Sequence, residues 1–225
     1  PEHEVAEILM KYLAEYMAQY PLTLEQEKVL TAVMSCRTAR LGGHVEKCDR
    51  CDYTVIAYNS CRDRHCPKCQ YSAAEKWLDK RKGELLPVPY YHIIFTLPAI
   101  LAPLSRHNKR LIYQLLFKAA GKAIVTMAAD ERYLGALVGL VLLLDTAAQS
   151  LLHHTHVHCL VPGGGISLDG QRWVSCQPGS FLPVDILTNR FQTLFLHYLH
   201  QAYQAGELRL PGSLADLSDA AAWQA

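Results

Sequence analysis

The middle of the sequence reads His153-His154-Thr155-His156-Val157-His158-Cys159-Leu160-Val161 and is followed by Pro162-Gly163-Gly164-Gly165. The alternation around Val157 predicts a β-strand, on which residues two apart share one face. His156 and His158 therefore point the same way. Two imidazoles held by a strand suit a divalent metal ion, because neutral imidazole is a common ligand. The alternative interpretation is a polar strand face that binds no metal.

The composition is that of an ordinary folded protein. The chain has 225 residues, of which 50% are hydrophobic, and a net charge of +1. A chain of this length can bury a hydrophobic core. Because the net charge is close to zero, any basic surface must be confined to one region of the protein. The longest apolar run, from Leu134 to Leu144, is too short to span a membrane, and the N-terminus lacks the basic start of a signal peptide. We expect a soluble, cytoplasmic protein.

Residues 1–35 are expected to form an N-terminal helical arm. Apolar residues recur at helical spacing over residues 3–19. Thr23 and Gln26 have the form of a capping box, which predicts a second helix through about Met34. The arm either packs as a structural surface or grips DNA or a partner.

Residues 36–83 are expected to form a small zinc-binding domain, because six of the eight cysteines lie there. Two Cys-x-x-Cys pairs, separated by residues 52–65, have the spacing of a four-cysteine zinc site, and the predicted ligands are Cys48, Cys51, Cys66 and Cys69. A disulfide framework is the alternative, which the lack of a secretory signal disfavours. A leftover set matches a second zinc site or consists of unligated side chains: Cys36, His44, Cys61 and His65.

Positive charge gathers beside the second Cys-x-x-Cys pair. Tyr71 and Trp77 lie among the basic residues, and Ser72 with Glu75 predicts a capped helix over residues 73–82. Such a helix contacts nucleic-acid phosphates or is simply solvated. The candidate DNA-binding residues are Arg62, Arg64, Lys68, Lys76, Lys80, Arg81 and Lys82.

Residues 84–225 are expected to form a third, α+β domain. The β-branched and aromatic run Tyr90–Leu97 predicts a core strand, and a long helix is expected over residues 104–129. Further strands are predicted over residues 139–144 and in a hairpin that contains Asp169-Gly170. A helix is predicted over residues 185–203, and a helix or tail follows it.

The neighbours of the paired histidines exclude several metal architectures. A dinuclear zinc hydrolase would need Asp at the position of Leu160, and a barrel amidohydrolase needs more chain than remains. A cupin would place a carboxylate a few residues beyond His158, where this sequence has Pro162 and three glycines. The remaining interpretation is a mononuclear metal site on an antiparallel sheet, which binds a scissile phosphate.

Four motifs together resemble the transposases of the insertion-sequence ninety-one (IS91) family. They are Cys36-Arg37-Thr38-Ala39-Arg40-Leu41-Gly42-Gly43-His44, Asn59-Ser60-Cys61-Arg62-Asp63-Arg64-His65-Cys66-Pro67-Lys68-Cys69, Leu85-Leu86-Pro87-Val88-Pro89-Tyr90, and Leu151-Leu152-His153-His154-Thr155-His156-Val157-His158-Cys159. The resemblance implies a structural zinc domain followed by an HUH endonuclease fold, an antiparallel sheet flanked by helices. It also implies a bacterial protein that associates with the nucleoid when bound to DNA.

In that superfamily the paired histidines and a third polar ligand hold Mg²⁺ or Mn²⁺ on the scissile phosphate of single-stranded DNA. A tyrosine attacks this phosphate. The resemblance implies that the DNA substrate of this protein lies at transposon ends. For the third ligand we propose Gln149, seven residues before His156, because an upstream ligand has similar spacing in related replication initiators and an amide oxygen suits a hard cation. His153 and His154 are secondary candidates for contacts to the metal ligands or the phosphate.

The sequence departs from the family in its tyrosines. No Tyr-x-x-x-Tyr pair occurs in the region where the resemblance implies the nucleophile, and Tyr198 and Tyr203, five apart, are interpreted as structural. Ala147-Ala148 also replaces a bulky aromatic residue and a glycine. We therefore expect a truncated transposase whose metal and DNA sites are present and whose nucleophile lies beyond Ala225. The alternatives are a non-catalytic DNA-binding fragment or relic and a zinc-ribbon protein with an incidental HUH-like core. The sequence leaves open whether the chain forms a homo-oligomer.

Overall fold

The computed structural model of the protein describes residues 3–147 and 153–224. It separates into two compact units, Pro1–Leu85 and Leu86–Ala225. The helical arm and the cysteine-rich segment, treated as separate domains above, lie within the first unit. The protein mixes helices with antiparallel sheets, so the predicted α+β class is confirmed.

The first unit begins with a pair of helices, α1 (Val5–Gln19) and α2 (Leu24–Ser35). The predicted capping box starts α2: the Gln26 N–H donates to Thr23 Oγ1 at 3.3 Å, and the Thr23 N–H donates to Gln26 Oε1 at 2.8 Å. These two bonds satisfy amides that the helix itself leaves without partners. An antiparallel hairpin of β1 (Gly43–Lys47) and β2 (Thr54–Tyr58) follows.

The last helix of this unit, α3 (Pro67–Gly83), starts earlier than the sequence predicts. The Ser72–Glu75 capping box is therefore wrong. Pro67 occupies the first helical position, where its missing N–H costs nothing and its fixed φ favours the helix. As a consequence, Cys66 occupies the N-cap position, without a capping hydrogen bond from its side chain, and Cys69 lies in the first turn.

The second unit is built on a three-stranded antiparallel sheet in the order β3-β6-β5. Its elements are β3 (Tyr90–Thr96), α4 (Ala102–His107), α5 (Lys109–Ala129), β4 (Ala136–Leu137), β5 (Val141–Ala147), β6 (His153–Pro162), β7 (Gly164–Ser167), β8 (Trp173–Ser175), α6 (Val184–Gln204) and α7 (Ala220–Gln224). A smaller sheet has the order β4-β7-β8. The predicted hairpin with Asp169-Gly170 joins β7 to β8.

The central strand β6 has one covered face and one open face. Val157, Cys159 and Val161 are fully buried, whereas His156 and His158, which alternate with them, are not. Side chains of α5 and α6 fill the core on the covered side, among them Leu116 and Phe191. Among the described helices, only α5 has the length and composition of a membrane span, and eight of its residues are buried in the protein.

Asn108 breaks the long helix predicted over residues 104–129. Its backbone leaves helical geometry between α4 and α5, and its side chain is buried. The side-chain amide donates to the carbonyls of Leu104 (3.0 Å) and Arg209 (2.9 Å), and its oxygen accepts the Arg209 N–H at 2.7 Å. One side chain thus fixes the segment that follows α6 to the helical layer.

Replacing Asn108 with Ala should lower the free energy of unfolding by about 1–3 kcal/mol, because it removes three hydrogen bonds of a buried side chain, two of them to the backbone of Arg209. Urea unfolding of the two chains measures this. Asn189→Ala, at an exposed position of α6, is the control and should change stability little. An Asn108→Ala chain as stable as the parent would contradict the bridging role.

Candidate metal centres

Three possible ligands meet on the open face of the central sheet. His156 and His158 come from β6, and Asp145 comes from β5, where it is the register partner of His156. One ligand atom from each of the three lies within 4.8 Å of the others. His156 is mostly covered, with 13% of its side chain exposed, whereas Asp145 is 48% exposed. The group can therefore be reached from solvent on the Asp145 side.

Hydrogen bonds orient these groups for metal binding. Nδ1 of His156 donates to the carbonyl of His154 at 2.9 Å, so the lone pair is on Nε2, which lies 3.5 Å from Asp145 Oδ2. The Ala147 N–H donates to Asp145 Oδ1 at 3.0 Å and holds the pKa of that carboxyl below its usual range. At neutral pH Asp145 is therefore a carboxylate, which is the form that binds a cation.

His92 of β3 contacts the same group from the other side. Its ring stacks on His158, with centroids 5.0 Å apart, and its Nε2 lies 2.7 Å from His158 Nδ1. One nitrogen of the pair must donate. A His158 that binds a metal through Nε2 carries its proton on Nδ1, so His92 is the acceptor and fixes the ring, as outer partners of metal-bound histidines commonly do.

The other sequence-predicted residues divide between the two faces. His154 lies on the face of His156, with ring centroids 5.3 Å apart. His153 is on the covered face, where it contacts the hydroxyls of Ser105 (3.2 Å) and Thr155 (3.1 Å), so it does not join the three ligands. Gln149, the predicted third ligand, lies outside the described residues.

Sequence reasoning missed Asp145 and His92. Asp145 directly follows the strand predicted over residues 139–144, and a carboxylate at a strand end beside a His-x-His strand is a usable signal. His92 carried no such signal. Its place beside His158 follows from the pairing of β3 with β6, two strands far apart in the sequence.

Four cysteines gather in the first unit: Cys36, Cys61, Cys66 and Cys69. Their sulfurs all lie within 4.8 Å of one another, with Sγ of Cys69 3.5 Å from that of Cys36 and 3.6 Å from that of Cys61. Cys36 and Cys66 are fully buried. Four convergent thiols are the donor set of a structural zinc site, which these residues fit.

This grouping corrects the predicted one, which joined Cys66 and Cys69 to Cys48 and Cys51. The hairpin of β1 and β2 separates the two pairs. Cys48 and Cys51 lie at its exposed tip, whereas Cys36 and Cys61 flank its base. At about 3.3 Å per residue, the paired strands hold tip and base about 15 Å apart.

The environment of the four thiols favours one ionised sulfur. Burial raises the pKa of Cys61 to about 12. Burial also acts to raise the pKa of Cys69, but hydrogen bonds from Cys36 and Cys61 outweigh it and lower that pKa to about 7. The cluster therefore provides a thiolate near neutral pH, the form that binds a metal.

The predicted second zinc set does not come together. Cys36 and Cys61 belong to the four-cysteine cluster. Nε2 of His44 lies 3.0 Å from Glu46, Nδ1 of His65 lies 3.1 Å from Asp63, and neither imidazole joins a group of three ligands within the described chain.

The basic residues of the first unit differ in their surroundings. Lys68 pairs with Glu4 (2.6 Å), Arg81 with Glu84 (2.8 Å) and Lys82 with Asp79 (3.9 Å). The other four candidate DNA-binding residues are exposed to solvent: Arg62, Arg64, Lys76 and Lys80. The aromatic side chains of Tyr71 and Trp77 are exposed on α3 as well.

The two tyrosines of α6 are held by packing. Lys118 lies 4.0 Å from the ring centroid of Tyr198. Tyr203 stacks on Trp223, with centroids 4.1 Å apart, and its hydroxyl donates to the carbonyl of Ser218. These contacts agree with the structural interpretation of both residues.

Cys61→Ser should remove one zinc ion per chain and lower the melting temperature of the first unit, because it takes away one of four convergent sulfurs. Cys48→Ser, at the exposed hairpin tip, is the matched control and should keep that ion. Zinc released from each purified chain, quantified by a chromogenic chelator, is the measurement. Loss of the ion from Cys48→Ser with retention in Cys61→Ser would favour the grouping predicted from spacing.

Comparisons with known proteins cover both units. Residues 8–97 match the family model of the IS91 transposase zinc-binding domain, and residues 139–225 match the family model described as "Putative transposase". The relative named "Putative transposase y4qJ", from Sinorhizobium fredii (strain NBRC 101917 / NGR234), is 49% identical over 217 residues, which are 96% of this chain and 54% of that protein.

A second relative is the transposase for insertion sequence element IS801 of Pseudomonas savastanoi pv. phaseolicola. It is 33% identical over 145 residues, 64% of this chain and 34% of that protein. The chain thus spans about half of one curated relative, and the match to the other covers about a third of it.

A solved conjugative relaxase, TrwC, in complex with oriT DNA and copper-bound, superposes on 49% of this chain and 42% of its own with a TM-score of 0.37 and 12% identity. By its zinc-binding and transposase domains and its relatives, the chain belongs to the IS91 family of transposases.

Proposed function

We propose that this chain supplies the metal and DNA sites of an IS91-type transposase that nicks single-stranded DNA at the ends of a mobile element. The observation that carries the proposal is the convergence of Asp145, His156 and His158 on the open face of the sheet. A carboxylate and two imidazoles, reachable from solvent, form a site that binds a cation and leaves room for a phosphate.

The family resemblance implies Mg²⁺ or Mn²⁺: the carboxylate supplies the hard oxygen that these ions prefer, and three protein ligands leave coordination positions for phosphate oxygens. A bound ion of this kind would stabilise the charge that builds on phosphate oxygens during cleavage. The protein contributes orientation: the carbonyl of His154 fixes His156, and the Ala147 N–H fixes Asp145. We propose Asp145 as a ligand beside the paired histidines; Gln149, the third ligand proposed from the sequence, lies outside the described residues.

The zinc-binding unit would hold DNA rather than cut it. Its exposed basic residues and the aromatic rings of Tyr71 and Trp77 provide charge for phosphates and flat surfaces for unpaired bases. The paired tyrosine nucleophile stays a prediction from the family resemblance, and we do not assign it to Tyr198 or Tyr203. We place the protein in the bacterial cytoplasm, where its DNA substrate is found.

Asp145→Ala should weaken Mn²⁺ binding at least tenfold, because a ligand is lost, and Gln149→Ala tests the ligand proposed from the sequence in the same assay. Isothermal titration of Mn²⁺ into each chain measures the affinity, and Ser167→Ala, on another sheet, is a control for general effects. Weaker Mn²⁺ binding in Gln149→Ala would support Gln149 as a ligand, and unchanged affinity in Asp145→Ala would remove Asp145 from the site.

Mn²⁺ should increase the affinity of the chain for a single-stranded oligonucleotide, and His156→Ala should abolish that increase. Fluorescence anisotropy with and without a chelator measures it. DNA binding that is equal in both conditions and in both chains would contradict a metal-bound phosphate and favour a DNA-binding fragment without a nicking site.

Replacing Lys76 and Lys80 with Ala should weaken DNA binding and reduce the slope of log affinity against log salt concentration by about 2, one for each lost phosphate contact. Lys28→Ala, an exposed lysine on α2, is the matched control. A slope that falls equally in both chains, or in neither, would remove α3 from the DNA interface.

A further inference from the structure

Two neighbouring cavities lie beside the edge strand β3. One has a volume of about 410 Å³ and lies between β3 and the start of α6; the other, of about 290 Å³, continues toward the end of β3. Ile94, Phe95 and Thr188 line both. The cavities therefore form one continuous depression, called here the β3–α6 trough.

The trough lies next to the candidate metal centre. Ile94, which lines both cavities, is the register partner of His158, and His92, which lines the larger one, contacts His158 at 2.7 Å. Neighbouring strands are about 4.8 Å apart, so the trough begins one strand spacing from the strand that carries the paired histidines. That distance is similar to the reach from a phosphate to the base of the same nucleotide.

The lining is suited to a flat ring. Tyr91 and Phe181 stack at one end with centroids 5.4 Å apart, and Ile94 exposes 48% of its surface. Thr188 and Gln192 supply hydroxyl and amide groups from α6. None of the described lining residues is acidic, so nothing in the trough repels a phosphodiester strand. Largely apolar walls with a few polar groups are typical of sites for small planar ligands.

We propose that the β3–α6 trough binds an unstacked base of single-stranded DNA whose phosphate lies at Asp145, His156 and His158. This inference rests on the proposed function and adds how the strand is held: the metal centre binds the backbone, and the trough binds a base beside it. Because every base has an aromatic face, binding through stacking tolerates many sequences.

The test compares two single strands that carry the same phosphates in the presence of Mn²⁺. One is an oligothymidylate of about twelve nucleotides, and the other has abasic sites throughout, so that only the first can fill the trough. Thr188→Trp and Val184→Trp, both at exposed positions, place an indole in the trough. Asn189→Trp, exposed on the same helix and outside the trough, is the matched control. Melting temperature and Mn²⁺ affinity confirm that each chain is folded.

Both trough variants should bind oligothymidylate about five- to a hundredfold more weakly than the parent, the range expected for one lost stacked base, and should bind the abasic strand as the parent does. Asn189→Trp should behave as the parent with both strands. If the trough variants bind oligothymidylate normally, or only lose self-association in gel filtration, the base site is wrong while the metal-dependent function stands. If the parent binds neither strand in a Mn²⁺-dependent way, the proposed function fails as well.

Discussion

The second unit depends on one strand whose two faces meet different environments. Val157, Cys159 and Val161 anchor β6 in the core beneath α5 and α6, and this burial fixes the direction of every side chain between them. A slip of one residue would bury two imidazoles and expose three apolar side chains, at a cost of several kcal/mol. The packing of the core thus holds His156 and His158 toward the open face, where Asp145 of β5 and His92 of β3 approach from the two neighbouring strands.

The first unit is held together in a different way. Its buried apolar cluster consists of Val33, Cys36 and Cys66 with a few partly buried neighbours, and every residue of β1 is exposed. So small a core contributes little, since small domains bury too little surface to be stable alone. Zinc bound by four cysteines would contribute a binding free energy on the order of 10 kcal/mol. In such a unit this binding free energy stabilises the folded state. The metal, more than the core, is expected to join α2, the hairpin and α3.

Local patterns in the sequence were sufficient to predict most helices and strands. They were insufficient to predict which four cysteines converge or that Asp145 lies beside the paired histidines. Alternation identified β6 and its open face, and a capping box located the start of α2. The zinc set and the approach of Asp145 to the paired histidines depend on which segments become neighbours in space: Asp145 reaches His156 through strand pairing, and Cys36 reaches Cys69 because a hairpin closes between them. Spacing rules count positions along the chain, so they favoured Cys48 and Cys51. The hairpin places these two residues at its tip, away from the other cysteines.

We propose that Asp145, His156 and His158 form a metal centre on the open face of β6. Crystals of the protein grown with Mn²⁺, measured at a wavelength where manganese scatters anomalously, test it most directly. We expect one strong anomalous peak within coordinating distance of the Asp145 carboxylate and an imidazole nitrogen of each histidine. A peak bound instead to His153 on the covered face, or an open face without manganese while the ion occupies another site, would contradict it.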